Sequence, residues 1–255
     1  MLRVNPIYRG LCPNCGGPIG YDRLSLGLPC SSCLPYTSSD RMQVLLDLER
    51  GGRLAGLKWV LMLSREFDVF SEYFRSKTGA GLWSAQASWA RRLLSLDSFT
   101  IVAPTGVGKT TLLSVYAAYR AEVSGWRILY LVPTGNLARQ VYERVSRYVE
   151  GVVAYYSTMP AKAKREALDA IESGGYRVLV ATTGFLQRRF DVLAKFSPFN
   201  LIVVDDVDSM LRDSGNVDRA LTLLGYSEEA IRLAMDLIKA RARLLKASGV
   251  EGEEA

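Results

Sequence analysis

Histidine is absent from this 255-residue chain, and its four cysteines all lie between positions 12 and 33. Without histidine, no Ser-His or Cys-His pair can activate a nucleophile, so the hydrolase mechanisms that depend on such pairs are excluded. Asparagine and glutamine are also scarce, with five and four copies. This depletion of thermolabile side chains is typical of thermophilic proteins.

Long apolar runs are missing as well. No stretch approaches the roughly 18 consecutive apolar residues of a membrane-spanning helix, and residues 1–10 lack the apolar run and cleavage site of a signal peptide. We therefore expect a cytoplasmic protein without a membrane partner. The formal net charge of +6 favours a polyanionic partner such as nucleic acid, and a solvated basic face would account for it equally well.

The cysteines form two C-x₂-C pairs, Cys12 with Cys15 and Cys30 with Cys33. Two such turns aim four thiolates at one point, which predicts a tetrahedral zinc site that is structural because no coordination position stays open. Two disulfides are the alternative, but they need an oxidising compartment that nothing else in the sequence indicates. Three side chains near the pairs are either contacts to a nucleic-acid backbone or solvated surface: Arg9, Tyr21 and Arg23.

Beyond position 40 the pattern becomes helical and then alternates. A helix is predicted by apolar residues that recur every three or four positions, namely Val60, Leu63, Phe67, Phe70 and Phe74. Five short apolar segments then alternate with helices, which predicts a parallel α/β sheet with helices on both faces. The predicted strands are 98–103, 127–132, 152–156, 177–181 and 201–205. The other predicted helices are 84–94, 109–121, 136–148, 161–172 and 227–245, followed by an acidic tail at 249–255.

The segment between the first predicted strand and its helix has the pattern of a phosphate-binding loop. Gly106 and Gly108 allow backbone N–H groups to curl around phosphates, and the helix adds its positive N-terminal end. We expect Lys109 to reach the β- and γ-phosphate oxygens of ATP as a catalytic residue, and Thr110 to bind Mg²⁺. The predicted nucleotide-binding residues of this loop are Ala103, Pro104, Thr105, Gly106, Val107, Gly108, Lys109, Thr110 and Thr111.

Acidic residues follow the last predicted strand, in Asp205-Asp-Val-Asp208. Because the carboxyl ends of parallel strands face one crevice, Asp205 is expected to bind the Mg²⁺ held by Thr110. Asp206 is expected to orient or deprotonate the attacking water as a catalytic residue, and Asp208 to couple movements of neighbouring segments. A helix cap is the ordinary alternative for such carboxylates.

Together these motifs resemble the superfamily 2 helicases and, more narrowly, the reverse gyrase family. The resemblance covers essentially the whole chain and rests on the Cys₄ module and four further segments, which are Leu82-Trp-Ser-Ala-Gln86, 98–111, Val132-Pro-Thr134 and Asp205-Asp-Val-Asp208. It implies a RecA-like P-loop domain behind a small zinc ribbon and a helical linker. The expected boundaries are 1–39 for the ribbon, 40–82 for the linker and 83–255 for the ATP-binding domain.

The resemblance also assigns roles to single residues. It implies that Gln86 recognises the adenine edge and that an aromatic residue upstream stacks on the base; Phe70 and Phe74 are candidates, with a core position as the alternative. Loops that match the family's nucleic-acid contacts contain Val132-Pro-Thr134, Arg139 and Thr182-Thr-Gly184.

Reverse gyrases join such a motor to a topoisomerase half and introduce positive supercoils into DNA at the expense of ATP. Their second RecA-like domain, with its arginine finger, and their topoisomerase half have no counterpart in these 255 residues. We therefore expect the N-terminal part of an ATP-dependent DNA topoisomerase, a monomer that binds Zn²⁺, ATP with Mg²⁺, and DNA, and that is weakly active alone. The alternatives are a stand-alone zinc-ribbon P-loop clamp on nucleic acid and a fragment of an RNA helicase.

Overall fold

The computed structural model of the chain describes residues 6–213 and 215–247. The chain divides into two compact units, Met1–Val102 and Ala103–Ala255. The predicted acidic tail at 249–255 lies outside the described residues. Within 6–213 and 215–247, no helix is long and apolar enough to cross a membrane.

The described part of the first unit combines a pair of antiparallel strands, each two residues long, with four helices. In this strand pair, Ile7 pairs with Gly20 and Tyr8 pairs with Ile19. The elements are β1 (Ile7–Tyr8), β2 (Ile19–Gly20), α1 (Tyr21–Leu24), α2 (Arg41–Arg50), α3 (Lys58–Thr78) and α4 (Ser84–Leu94). A small core joins three of the cysteines to α2, and its buried members are Cys12, Ile19, Leu28, Cys30, Cys33, Leu34, Val44 and Leu48.

Local sequence signals explain where these helices begin and end. The Asp40 carboxylate accepts hydrogen bonds from the backbone N–H groups of Met42 and Gln43, at 2.9 and 3.1 Å, so it caps the start of α2. Helix α3 ends at Gly79, whose φ of 75° is a left-handed conformation that favours glycine. Helix α4 packs on α3 partly through the Arg91 guanidinium, which lies 3.9 Å from the centroid of the Phe67 ring.

The second unit alternates helices and strands. Its helices are α5 (Lys109–Val123), α6 (Gly135–Val145), α7 (Ala161–Ser173), α8 (Thr183–Arg188), α9 (Phe190–Ala194), α10 (Val207–Leu211), α11 (Gly215–Leu223) and α12 (Glu228–Ala247). Its strands are β3 (Ile128–Val132), β4 (Val152–Tyr155), β5 (Val178–Thr182) and β6 (Leu201–Val204). The strands form one parallel sheet in the order β4-β5-β3-β6.

Helices cover both faces of this sheet, as the sequence predicts. Strand β3 is buried at every position, which suits a continuous apolar run in a sheet covered on both sides. Tyr130 belongs to a core cluster with side chains of α5 and α6. Its neighbour Leu131 belongs to a second cluster, with side chains of α7, α8, α9 and α11. Because successive side chains of a strand point to opposite faces, the two clusters lie on opposite sides of the sheet.

One predicted strand is wrong. Residues 98–103 take no part in the sheet, where β6 is an edge strand, and the side chain of Val102 is 91% exposed. An apolar, β-branched run becomes a strand only where neighbouring strands supply hydrogen bonds and a packed face. The other predicted elements end within three residues of the observed bounds. Five short helices, α1 and α8 to α11, and the two-residue strands β1 and β2 were not predicted, since none is long enough to show a clear apolar period.

Candidate zinc and nucleotide sites

The four cysteines of the first unit lie together. Their sulfur atoms are all within 4.8 Å of one another, and the Sγ atoms of Cys15 and Cys30 are 3.7 Å apart. A tetrahedral zinc site with Zn–S bonds of about 2.3 Å has S···S edges of about 3.8 Å. The cysteines therefore have the composition and nearly the spacing of a structural zinc site, as predicted, and none is in a disulfide.

Hydrogen bonds from N–H groups hold the sulfur atoms in place. The backbone N–H of Cys30 donates to Cys12 Sγ at 3.2 Å, and that of Gly17 donates to Cys15 Sγ at 3.4 Å. The Asn14 side chain, which is buried, donates to Cys33 Sγ at 3.3 Å. Such contacts orient the ligands of a metal site and stabilise thiolates. Sequence reasoning missed Asn14, because an asparagine inside a C-x₂-C turn gives no signal of its own.

Asn14 also links the metal site to the loop before α3. Its side-chain amide donates to the carbonyl of Arg53 at 2.8 Å and its Oδ1 accepts from the N–H of Ala55 at 2.9 Å. Its backbone carbonyl accepts from the N–H of Gly56 at 2.7 Å. A Cβ at Gly56 would lie 2.6 Å from the carbonyl oxygen of Pro13, so only glycine fits there. The cysteine module and the loop at 53–56 thus form one hydrogen-bonded body.

Arg23 does not have the role considered for it. Its side chain is 8% exposed, and its guanidinium donates to the backbone carbonyls of Pro29, Leu34 and Tyr36 at 2.7, 2.7 and 2.8 Å. These three hydrogen bonds hold the loop between the two cysteine pairs in place. Because the guanidinium is buried and already bonded to backbone carbonyls, it does not contact a nucleic-acid phosphate. Arg9 and Tyr21 are exposed.

The acidity of the thiols shows why the cluster suits a cation. Burial opposes ionisation of Cys12, but hydrogen bonds from the backbone at Cys30, Cys15 and Asn14 outweigh it and lower the pKa of this thiol to about 6. Burial raises the pKa of Cys33 to about 12. One thiolate therefore forms near neutral pH, while four adjacent thiolates need a bound cation to balance their charge.

In the second unit the phosphate-binding loop precedes α5. Gly106 and Gly108 have φ values of 83° and 85°, so both occupy the left-handed region for which their glycines were expected. The Lys109 ammonium lies across the loop and donates to the carbonyls of Ala103 and Pro104, the latter at 2.9 Å. The loop thus brings the lysine and the N-terminus of α5 to one place.

Asp205 meets this loop from the end of β6. Its backbone N–H donates to the carbonyl of Leu131 at 3.0 Å, which continues the ladder between β6 and β3 by one residue. Its Oδ1 lies 3.5 Å from Oγ1 of Thr110, although the two residues are 95 positions apart in the chain. Two oxygens at this separation can bind one Mg²⁺, directly or through a water molecule that the ion retains.

The surroundings of Asp205 disfavour the ionised form of its carboxyl group when no cation is bound. Burial raises the pKa of its carboxyl group, and the hydrogen bond from Thr110 and the charges of Arg144 and Lys109 offset this only in part. A divalent cation beside the carboxylate would favour the ionised form. Arg144, on α6, is a charged neighbour of the site that sequence reasoning missed, because the helical pattern gave no reason to separate it from the other arginines.

Three further predicted residues of the second unit lie at strand ends or helix starts. Asp206 caps α10 by accepting a hydrogen bond from the N–H of Asp208 at 3.1 Å. Thr134 and Thr182 cap α6 and α8 in the same way, at the carboxyl ends of β3 and β5. Three of the segments predicted to be functional therefore lie at the carboxyl edge of the sheet, namely 132–134, 182–184 and 205–208.

Gln86 and the candidate aromatics belong to the first unit. Gln86 is buried, and its Oε1 accepts from the backbone N–H of Trp83 at 3.4 Å, at the start of α4. Its assignment to adenine stays a prediction. Phe70 and Phe74 are 0% and 3% exposed, with ring centroids 6.3 Å apart. Both rings are core residues of the unit, which is the alternative that their spacing offered.

Comparison with known proteins gives matches to both parts of the chain. A DEAD/DEAH box helicase family model matches residues 83–234, and a reverse gyrase zinc finger model matches residues 4–51. Reverse gyrase 2 of Aeropyrum pernix is 53% identical to this chain over 247 residues, and the reverse gyrase of Pyrobaculum aerophilum is 43% identical over 249. These alignments cover 96% and 94% of this chain but 20% of each relative, so the chain spans about a fifth of their length.

One solved structure that aligns with part of this chain is a hypothetical ATP-dependent RNA helicase from Sulfolobus tokodaii. It aligns with a TM-score of 0.46 at 22% sequence identity, over 66% of this chain and 53% of that one.

Replacing a buried cysteine tests the zinc site. Cys33→Ser removes a thiolate and leaves three ligands, so we expect bound zinc to fall from about one ion per chain to less than a tenth, together with faster proteolysis within the first unit. Ser32→Ala, in the same C-x₂-C turn, is the matched control and should keep its zinc. Metal content is measured by colorimetric release. Full zinc occupancy in Cys33→Ser would contradict the site.

Replacing Asp205 tests the magnesium site. Asp205→Asn keeps the shape of the side chain but removes its charge, so ATP binding in the presence of Mg²⁺ should weaken by roughly 10–100-fold, as for other metal-site lesions. Binding in EDTA should not change. Asp208→Asn, in the same acidic box, serves as the control. Isothermal titration at several Mg²⁺ concentrations measures the effect, and equal losses with and without Mg²⁺ would argue against a metal role.

Proposed function

Because the chain belongs to the DEAD/DEAH box helicase family and carries a reverse gyrase zinc finger, we propose that it is the zinc-finger and first RecA-like portion of a reverse gyrase, an ATP-dependent DNA topoisomerase. The reverse gyrase zinc finger match over residues 4–51 carries the assignment, and the approach of Thr110 to Asp205 within 3.5 Å carries its ATP-dependent part. It joins a phosphate-binding loop and an acidic strand end at one edge of a parallel sheet, which is the arrangement of an ATP·Mg²⁺ site.

Each residue has a defined part in nucleotide binding. The backbone N–H groups of residues 103–111, apart from Pro104, which has none, would surround the phosphates together with the start of α5. Lys109 exchanges its bonds to the carbonyls of Ala103 and Pro104 for bonds to phosphate oxygens, and Thr110 and Asp205 hold Mg²⁺. Asp206 orients the attacking water. Gln86 recognises adenine, which selects ATP over other nucleotides.

DNA is the proposed partner. Thr134 and Thr182 begin helices at the same edge of the sheet as Asp205, so segments there that contact the DNA backbone would sense the state of the nucleotide. Arg139 is exposed on α6, where it lies 3.9 Å from Glu143. The formal net charge of +6 supports a polyanionic partner. A reverse gyrase zinc finger favours DNA over the RNA substrate of the alternative reading.

Fast hydrolysis requires groups beyond those found here. The relatives are about five times as long as this chain, and we place the second RecA-like domain, its arginine finger and the topoisomerase half in that additional length. We also place the protein in the cytoplasm, because a reducing compartment keeps the four cysteines available as zinc ligands.

Nucleotide-dependent DNA binding tests this function. With Mg²⁺ and a non-hydrolysable ATP analogue, we expect the Kd for DNA to change by at least about threefold, since closure of the site moves the adjoining loops. Lys109→Ala should abolish this change and keep the nucleotide-free affinity, whereas Lys162→Ala, at a lysine of α7 whose side chain is 90% exposed, should preserve both. Fluorescence anisotropy measures the affinities.

Measuring the affinity for RNA of the same sequence distinguishes a DNA topoisomerase from the RNA helicase alternative. A preference for RNA would favour the RNA helicase alternative. An affinity for DNA that does not respond to nucleotide would contradict the proposed coupling.

A further inference from the structure

Two buried hydroxyl groups lie in the core of the second unit. Ser114 and Tyr130 are both 0% exposed, and neither hydroxyl has a hydrogen-bond partner among the residues that the structure describes. A serine inside a helix can donate to the carbonyl four residues before it, but Ser114 does not. Because burial of an unbonded hydroxyl is unfavourable, native proteins nearly always supply a protein or water partner.

The register of the sheet brings Tyr130 to the same face as the Asp205 carboxylate. Tyr130 of β3 pairs with Val203 of β6, and both belong to the core cluster that packs against α5. Asp205 comes two positions after Val203, and its N–H continues the ladder to β3. Since alternate side chains of a strand share a face, the carboxylate points to this side of the sheet as well.

Helix α5 places Ser114 beneath the contact between Thr110 and Asp205. Ser114 and Thr110 are four positions apart, so they lie on one face of α5, about 6 Å from each other, and Thr110 Oγ1 is 3.5 Å from Asp205 Oδ1. Burial raises the pKa of the Tyr130 hydroxyl and the charge of Asp205 raises it further, while Arg144 and the Ser114 hydroxyl oppose this. Tyr130 is therefore close to both Ser114 and Asp205.

We propose that Ser114 and Tyr130 hold a buried water molecule that positions the Asp205 carboxylate. The water accepts a hydrogen bond from each hydroxyl and donates one to the carboxylate, and about three such bonds are typical of buried water. Groups that orient a metal ligand in this way raise the affinity for the metal. The water site itself is independent of the proposed function, whereas its effect on Mg²⁺ rests on the proposed role of Asp205.

Removing the hydroxyls without nucleotide tests the water site. Tyr130→Phe loses a hydrogen bond to the water, so the midpoint of thermal unfolding should fall by about 2–4 °C. In a Ser114→Ala background the same change should have less than half this effect, because the shared water is already lost. A midpoint that rises in Tyr130→Phe would overturn the proposal, since removing an unbonded hydroxyl relieves an unfavourable burial.

A crystal structure of the 255-residue protein identifies the bridging group. We expect one ordered water within about 3.2 Å of the Ser114 hydroxyl, the Tyr130 hydroxyl and an oxygen of Asp205. A direct hydrogen bond between the two hydroxyls, with no water at Asp205, would overturn the proposal.

The Mg²⁺ dependence of ATP binding tests the positioning role. Tyr130→Phe should raise the Mg²⁺ concentration needed for half-maximal ATP affinity by at least about threefold, and should leave binding in EDTA unchanged. Tyr176→Phe is the matched control, because it removes another buried hydroxyl that has no partner among the described residues, just before β5. It should keep the Mg²⁺ requirement of the unmodified chain.

Two outcomes would overturn this role. One is an unchanged Mg²⁺ requirement in Tyr130→Phe when Asp205→Asn raises it, and the other is an equal rise in Tyr176→Phe. If Asp205→Asn has no effect either, the proposed magnesium site fails and the positioning role fails with it, while the unfolding midpoints and the crystal structure still decide whether the water is bound.

Discussion

The hydrogen bond from the N–H of Asp205 to the carbonyl of Leu131 fixes the geometry of the proposed nucleotide site. It extends the ladder between β6 and β3 to the residue where the acidic box begins, and so places the Asp205 carboxylate 3.5 Å from the Thr110 hydroxyl. Strand β3 is buried on both faces and supports this bond from within the core. The site therefore depends on the sheet, because residues 95 positions apart are brought together only when the strands pair.

A bound zinc ion would supplement the small core of the cysteine module in the first unit. The cluster beneath the cysteines contains few large side chains, and two of them, Val44 and Leu48, come from α2. Arg23 closes the loop between the cysteine pairs from inside, and Asn14 joins the sulfur of Cys33 to the loop before α3. Zinc binding thus stabilises more than the residues between Cys12 and Cys33, since its free energy is shared with the elements hydrogen-bonded to the site.

Sequence patterns predicted the parallel sheet, the Cys₄ cluster, and the meeting of Thr110 with Asp205, because periodicity and motif spacing are local signals. Sequence patterns did not predict features that depend on contacts between residues distant in the chain. Residues 98–103 have the composition of a strand and are not one, and Arg23 looks like a surface residue and is buried. Asn14 and Arg144 act through contacts to distant segments, which no local pattern reveals. Helix α12 was predicted, but only the structure shows that its leucines at 233, 237 and 244 are exposed.

The central proposal is that Thr110 and Asp205 hold the Mg²⁺ of bound ATP, and that rapid turnover needs an arginine finger from a second domain. It is tested most directly by measuring ATP binding and steady-state hydrolysis on one preparation of the 255-residue protein. The account predicts binding that requires Mg²⁺ for full affinity, with turnover slower by about 10³–10⁵ than with an arginine finger in place. Hydrolysis at about ten per second or faster, with no other domain added, would contradict it.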